Sequence, residues 1–145
     1  MSAEKSVYEG GCMCGAVRYR VAGELDDPHL CHCGMCQRQS GHCVAGAAAA
    51  RADLEITGNE SVTWFQSSSF ARRGFCKVCG SKLFWDDGSE WVGLNMGSLD
   101  QPTGLTLERH IFVEDKPDYY EITDPLPQYE GVDTLRPPAS GAGSD

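Results

Sequence analysis

Seven of the eight cysteines in this 145-residue chain fall into three tight groups: Cys12-Met-Cys14, Cys31-His-Cys33-Gly-Met-Cys36 and Cys76-Lys-Val-Cys79. Seven divides into four and three. Four thiolates close a tetrahedral zinc shell, whereas three leave one coordination position for water or a substrate. A Cys-x-Cys pair read as a strand sets both thiols on one face, because successive side chains alternate. Cys12 and Cys14 then offer two ligands from one strand, with Gly10-Gly11 before them and Gly15 after them to let the backbone bend. Cys76-x-x-Cys79-Gly80 reads as a zinc knuckle, a tight turn that converges both sulfurs. Together the two pairs make a closed four-sulfur site that ties the N-terminal segment to a distant hairpin and supplies folding energy.

Cys31, Cys33 and Cys36 form a compact tripod from six consecutive residues. Its fourth position is open unless Cys43, His42, His29 or His110 closes it, while alternation turns His32 away from the sulfurs. A single zinc ribbon built from Cys33, Cys36, Cys76 and Cys79 is the competing partition. Its central spacing is about twice the usual 15–20 residues, and it strands Cys12, Cys14 and Cys31. Cys43 lies in a run of small apolar residues and reads as an inert buried side chain.

The elements that must position these sulfurs are mostly strands. Val17-Arg-Tyr-Arg-Val21 alternates, with the apolar residues on one face and both arginines on the other. Residues 62–65 and 111–113 are short runs of β-branched and aromatic residues. Residues 83–85 and 91–94 flank Asp86-Asp-Gly-Ser-Glu90, which predicts a hairpin. Ala45–Arg51 is ambiguous, since alanine favours helix and Gly46 opposes it, and Gln37–Gly41 predicts one helical turn. The three tryptophans read as core. Residues 114–130 predict an extended strap, and residues 131–145 a flexible tail, so that residues 1–130 form one zinc-binding domain.

The formal charge of −9 is uneven. Residues 1–85 carry a net +1 and residues 86–145 a net −10. Seven thiolates and two zinc ions bring the whole to about −12. Such a surface repels phosphate backbones, which argues against nucleic-acid partners. No stretch approaches the roughly 20 apolar residues of a membrane helix, so no membrane partner is expected. The start has no basic region followed by an apolar run, which predicts a cytoplasmic protein. In that reducing setting clustered cysteines are metal ligands rather than disulfides. An anionic ligand would meet local positive charge from Arg18, Arg38, Arg72 or Arg73, with Arg38, two residues past the tripod, and Arg72 as the candidate substrate-binding residues.

Gly11-Cys-Met-Cys-Gly15, the stretch Cys31-His-Cys-Gly-Met-Cys-Gln-Arg-Gln-Ser-Gly41 and Arg73-Gly-Phe-Cys-Lys-Val-Cys-Gly-Ser81 resemble the glutathione-dependent formaldehyde-activating enzyme family, whose domain also occurs in centromere protein V. His110-Ile-Phe-Val-Glu-Asp and Leu126-Pro-Gln-Tyr extend the likeness to about residues 8–130. The resemblance implies a mainly β fold of small stacked antiparallel sheets, a β-tent. It also implies two zinc ions, a structural one on Cys12, Cys14, Cys76 and Cys79 and a catalytic, open one on Cys31, Cys33 and Cys36. The implied activity is that of a carbon–sulfur lyase joining a small thiol such as glutathione to formaldehyde, giving S-hydroxymethylglutathione. Zinc in the tripod would capture the thiol as thiolate, the reactive form, or polarise the aldehyde oxygen. Three thiolates blunt Lewis acidity and favour the first role. The alternative is a zinc-organised module that binds a thiol or a protein without turnover. Nothing in the sequence indicates an oligomeric state.

Overall fold

The computed structural model describes residues 6–131, so the expected flexible tail lies outside the described residues. Two sheets dominate. The smaller holds β1 (Val7–Gly11), β2 (Arg18–Ala22) and β5 (Leu54–Thr57), antiparallel in the order β1-β2-β5. The larger holds β3 (Leu25–Cys31), β4 (Val44–Ala50), β6 (Val62–Gln66), β7 (Arg72–Cys76), β8 (Lys82–Asp86), β9 (Trp91–Asn95) and β10 (Arg109–Ile111). Its seven strands run in the order β10-β3-β4-β9-β8-β7-β6, antiparallel except for the edge pair β3–β10. The expected mainly β fold of stacked sheets is what forms. No helix among the described residues is long and apolar enough to cross a membrane.

Alternation builds the core. Val17, Tyr19 and Val21 are buried while Arg18 and Arg20 are exposed, so the small sheet presents one apolar face. It meets Ala47 and Ala49 of β4, Phe84 of β8, and Val92 and Leu94 of β9 from the large sheet. The Tyr19 and Phe84 rings meet edge to face at 5.6 Å. The hairpin predicted around Gly88 is β8–β9, with Gly88 at φ 81°.

One ambiguity is resolved and two local expectations are corrected. Ala45–Arg51 is strand rather than helix for most of its length: β4 lies between β3 and β9, and pairing on both sides outweighs alanine's helical propensity. The single helical turn expected after the tripod is a longer helix, α1 (Gly34–Ser40). Cys33 caps its start by accepting the Cys36 N–H, and Gly41 ends it at φ 92°. The strand expected at 111–113 ends at Ile111, where Phe112 turns the chain at φ 55°.

The opposite face of the large sheet carries α1, and a second apolar cluster there joins Cys31, Cys33, Cys36 and Ile111 to Met35, Val44 and Phe112. The strap forms as expected. His110 N–H donates to Pro127 O at 2.9 Å, and Tyr129 N–H donates to His110 O at 3.0 Å, laying the segment along β10.

Candidate metal centres and active site

The four-sulfur group is built from two turns rather than from a strand. β1 ends at Gly11, so Cys12 and Cys14 lie in the turn that follows, closed by the Cys12 N–H donating to Val17 O. This corrects the strand reading of Cys-x-Cys: the turn, not alternation, brings the two thiols together. Cys76 ends β7, and the knuckle after it closes through Gly80 N–H donating to Cys76 O at 2.8 Å with Gly80 at φ 79°. All four sulfurs lie within 4.8 Å of one another. The Cys12–Cys14 and Cys14–Cys76 sulfur separations are 3.6 and 3.7 Å. A tetrahedron with zinc–sulfur bonds of 2.3 Å has edges of about 3.8 Å, so the spacing fits.

Backbone N–H groups of Val17 and Val78 point at the sulfurs of Cys12 and Cys76 at 3.2 and 3.3 Å. At Cys12 burial raises the thiol pKa, but hydrogen bonds, that from Val17 foremost, prevail and lower it. Hydrogen bonds from the Ser81 side chain and backbone hold Cys79 down to about 5. At Cys14 the Ala16 backbone lowers the pKa, but burial and the contacts with Cys12, Cys76 and Cys79 prevail and carry it up to about 11. Four crowded sulfurs cannot all ionise unaided, and a soft divalent cation removes the conflict. An all-sulfur set of this size suits zinc.

The tripod repeats that logic with three sulfurs. Cys31 ends β3, Cys33 caps α1 and Cys36 lies in its first turn, and their sulfurs are mutually within 4.8 Å and buried. Contacts with Cys33 and Cys36, and then burial, push the Cys31 thiol far up. Cys36 is lowered by Cys31 but raised more by Cys33 and burial, ending at about 11. The crowding again calls for a cation.

None of the four residues that might have closed the tripod joins the three sulfurs at that distance. Cys43 is half-buried just before β4, its thiol pushed up by burial. His42 Nδ1 meets the Tyr119 hydroxyl at 3.1 Å, and His29 Nδ1 meets Asp27 O at 2.7 Å. His110 is fully buried with Nδ1 2.9 Å from His32 Nε2, and its Nε2 lies 3.0 Å from the Asp124 carboxylate. His110 thus bridges the His32 ring and the Asp124 carboxylate. Burial, then the charge of His110, holds His32 down to about 4, and the pair ties the tripod loop to the strap. Gln37 of α1 completes the anchor by donating to His32 O and Asp115 O, each at 2.7 Å. This polar tether was not legible in the sequence, because its partners are up to 78 positions apart.

Arg72 and Arg73 leave β7 on opposite sides. Arg72 pairs with Asp86 at 3.1 Å and stacks over Trp64 at 4.0 Å, and it lines neither space at the tripod. Arg73 reaches the tripod instead. It is only 5% exposed, and its Nη1 donates to Gln39 Oε1 at 3.1 Å and to Cys36 Sγ at 3.6 Å. Its positive charge tempers the anionic tripod. Arg38 lies exposed on α1 and lines an open groove of about 1070 Å³ with Met35, Phe65 and Tyr119. Behind it, a cavity of about 70 Å³ is lined by Cys31 and Cys36. Arg73 and Gln39 border both spaces.

Known proteins are similar to this chain. An uncharacterized lyase of Schizosaccharomyces pombe is 29% identical over 119 residues, covering 81% of this chain and 86% of that one. A Halomonas elongata protein, named provisionally as a glutathione-dependent formaldehyde-activating enzyme, is 33% identical over 131 residues, or 80% and 81% of the two chains. The crystal structure of a Rhodobacter sphaeroides protein matches with a TM-score of 0.53 at 32% identity, covering 68% of this chain and 90% of the other. Residues 7–115 match the family model described as glutathione-dependent formaldehyde-activating enzyme, a stretch that takes in both sulfur clusters, α1 and every strand. The chain therefore belongs to the glutathione-dependent formaldehyde-activating enzyme family.

Proposed function

We propose that the protein is a zinc-dependent carbon–sulfur lyase-type enzyme acting on the adduct of a small thiol, such as glutathione, and an aldehyde, such as formaldehyde. The reading rests on one observation: three buried sulfurs have no fourth His, Cys, Asp or Glu beside them among the described residues, and two of the three cysteines, Cys31 and Cys36, line a cavity that Arg73 and Gln39 share with the outer groove. Zinc held by Cys31, Cys33 and Cys36 supplies thiolate stabilisation near neutral pH and positive charge beside the reacting atoms. The four-sulfur site on Cys12, Cys14, Cys76 and Cys79 is structural.

The reaction is an addition. The thiol sulfur forms a bond to the carbonyl carbon, the C=O π pair moves to oxygen, and the proton lost by sulfur ends on that oxygen. Nothing is oxidised, and the reverse breaks the same carbon–sulfur bond. The chain's own residues orient the partners. Arg38 at the groove offers charge to a carboxylate of the thiol compound, and the His32–His110 pair with Gln37 keeps the tripod loop from shifting. Arg73 stands beside the Cys36 sulfur. All eight cysteines are unbridged, which supports a reducing compartment such as the cytoplasm.

Cobalt substitution tests the reading, because the cobalt d–d spectrum reports ligand number and type. Glutathione is expected to change the spectrum of the parent protein and not that of Cys33→Ser. A parent spectrum indifferent to glutathione and to every other low-molecular-weight thiol refutes it.

A further inference from the structure

The run Val44-Ala-Gly-Ala-Ala-Ala-Ala50 has a purpose that its composition does not reveal. Sheet register sorts it into two faces. Ala47 and Ala49 pack into the core against the small sheet. Val44, Gly46 and Ala48 face the other way, toward α1 and the tripod. Register sets Gly46 between His29 of β3 and Asn95 of β9, and Ala48 opposite Gly93 of β9. Gly93 is opposite Trp85 of β8, which is opposite Arg73 of β7. Two glycines and an alanine thus floor one patch of an otherwise bulky sheet, and the cavity of about 70 Å³ lies above them.

Two further features show that this cavity is built for a polar ligand. Cys31 and Cys36 line its wall, so its contents lie beside the tripod. Arg73 lines it as well, and although this side chain is buried, its Nη2 has no hydrogen-bond partner among the described residues. A buried guanidinium N–H left unpaired is costly, and an oxygen brought into the cavity relieves that cost.

We infer that this cavity receives the carbonyl end of the substrate, and that it sets the size of the aldehyde while Arg73 Nη2 donates to its oxygen. This rests on the thiol–aldehyde reading above. Size argues for it: a cavity of about 150 Å³ takes benzene, so about 70 Å³ has room for roughly three heavy atoms. Formaldehyde and acetaldehyde fit, and an aromatic aldehyde does not. The bulky remainder of the thiol compound stays in the outer groove, on the far side of Arg73 and Gln39. In the addition the sulfur pair forms the carbon–sulfur bond and the π pair moves onto oxygen. That oxygen gains charge where Arg73 donates, and then takes the proton that the thiol gave up. Arg73 thereby selects the transition state, and Gly46, Ala48 and Gly93 select the substrate.

Two measurements on the zinc-loaded protein test this. In protein-observed NMR, formate serves as a one-carbon oxygen probe and benzoate as an oversized one. Formate is expected to shift the Gly46 and Gly93 amide signals, benzoate to leave them in place, and Ala48→Leu to abolish the response. Gly46→Ala, whose added Cβ comes 3.3 Å from His29 Nε2, is the milder plug should Ala48→Leu fold poorly. In kinetics, the glutathione adducts of formaldehyde and acetaldehyde are expected to be turned over, and that of benzaldehyde at least about 100-fold more slowly. Arg73→Lys is expected to lower kcat for the formaldehyde adduct about 10- to 100-fold. Equal turnover of the benzaldehyde adduct, or a formate response that survives a filled cavity, overturns the assignment while leaving the lyase reading intact. A formate response in a protein that accelerates no adduct sinks the lyase reading and keeps the cavity as an oxygen-ligand site.

Discussion

The two sulfur clusters should differ in what their loss does to stability, and chain separation sets the difference. Cys14 and Cys76 lie 62 residues apart, so a metal on the four-sulfur site closes a long loop. Loop-closure entropy for that separation is about 4 kcal/mol at 25 °C, while the five-residue span from Cys31 to Cys36 gives only about 2 kcal/mol. Replacing both knuckle sulfurs, Cys76→Ser with Cys79→Ser, removes the long clip. Replacing Cys33→Ser with Cys36→Ser removes the short one. Against a typical total of about 5–15 kcal/mol, the first is a large fraction of the whole. At about 3 °C per kcal/mol for a chain of this size, the knuckle variant should melt about 12 °C below the zinc-loaded parent and the tripod variant about 6 °C below. Circular dichroism melts and urea midpoints on zinc-loaded proteins measure both. Equal losses, or a larger loss from the tripod, would refute the division into a structural site and a reactive one.

Asp86 is 5% exposed and accepts from Arg51 at 2.5 Å and from Arg72 at 3.1 Å. Burial raises its pKa, but the hydrogen bonds from Arg51, Gly88 N–H and Arg72 prevail and hold it below the usual carboxylate range. A folded pKa lowered in this way contributes stability above the unfolded value of about 4, lost as pH falls through the lower folded value. Asp86→Asn should therefore cost about 2 kcal/mol at pH 7 and progressively less below pH 4, read as the gap between urea midpoints. Cys43→Ala should keep two zinc ions per chain by atomic absorption; a drop to one would make Cys43 a ligand. Gly10→Ala should destabilise by about 1–3 kcal/mol, because its Cβ would collide with Ser98 O and come 2.5 Å from the Tyr19 hydroxyl. An unchanged urea midpoint would show that this contact relaxes freely.

Ligand groups were legible in the residues because a metal cluster is partly a short-range property. Cys76-x-x-Cys79-Gly80 and the tripod converge through turns a few residues long, which spacing and a single glycine announce. Alternation in Val17–Val21 likewise foretold which face of β2 is buried. The Cys-x-Cys pair shows the limit of such reading: the same two sulfurs converge in a strand or in a turn, and only the end of β1 at Gly11 separates the two. Ala45–Arg51 shows another, since its alanines favour helix, Gly46 opposes it, and only pairing with two neighbouring strands decides for a central strand.

Spacing of cysteines thus determined where metal can be held. Which arginine stands beside the tripod, and what room lies behind it, belonged to the tertiary structure alone. Arg72 and Arg73 are adjacent in sequence and equal in chemistry, and the pleat sends one to Asp86 and the other to Cys36. Gly46, Ala48, Gly93 and Arg73 come from three strands and share a cavity only because antiparallel register aligns them. Register is a long-range property, fixed by the packing of two sheets around one core, and no window along the chain contains it.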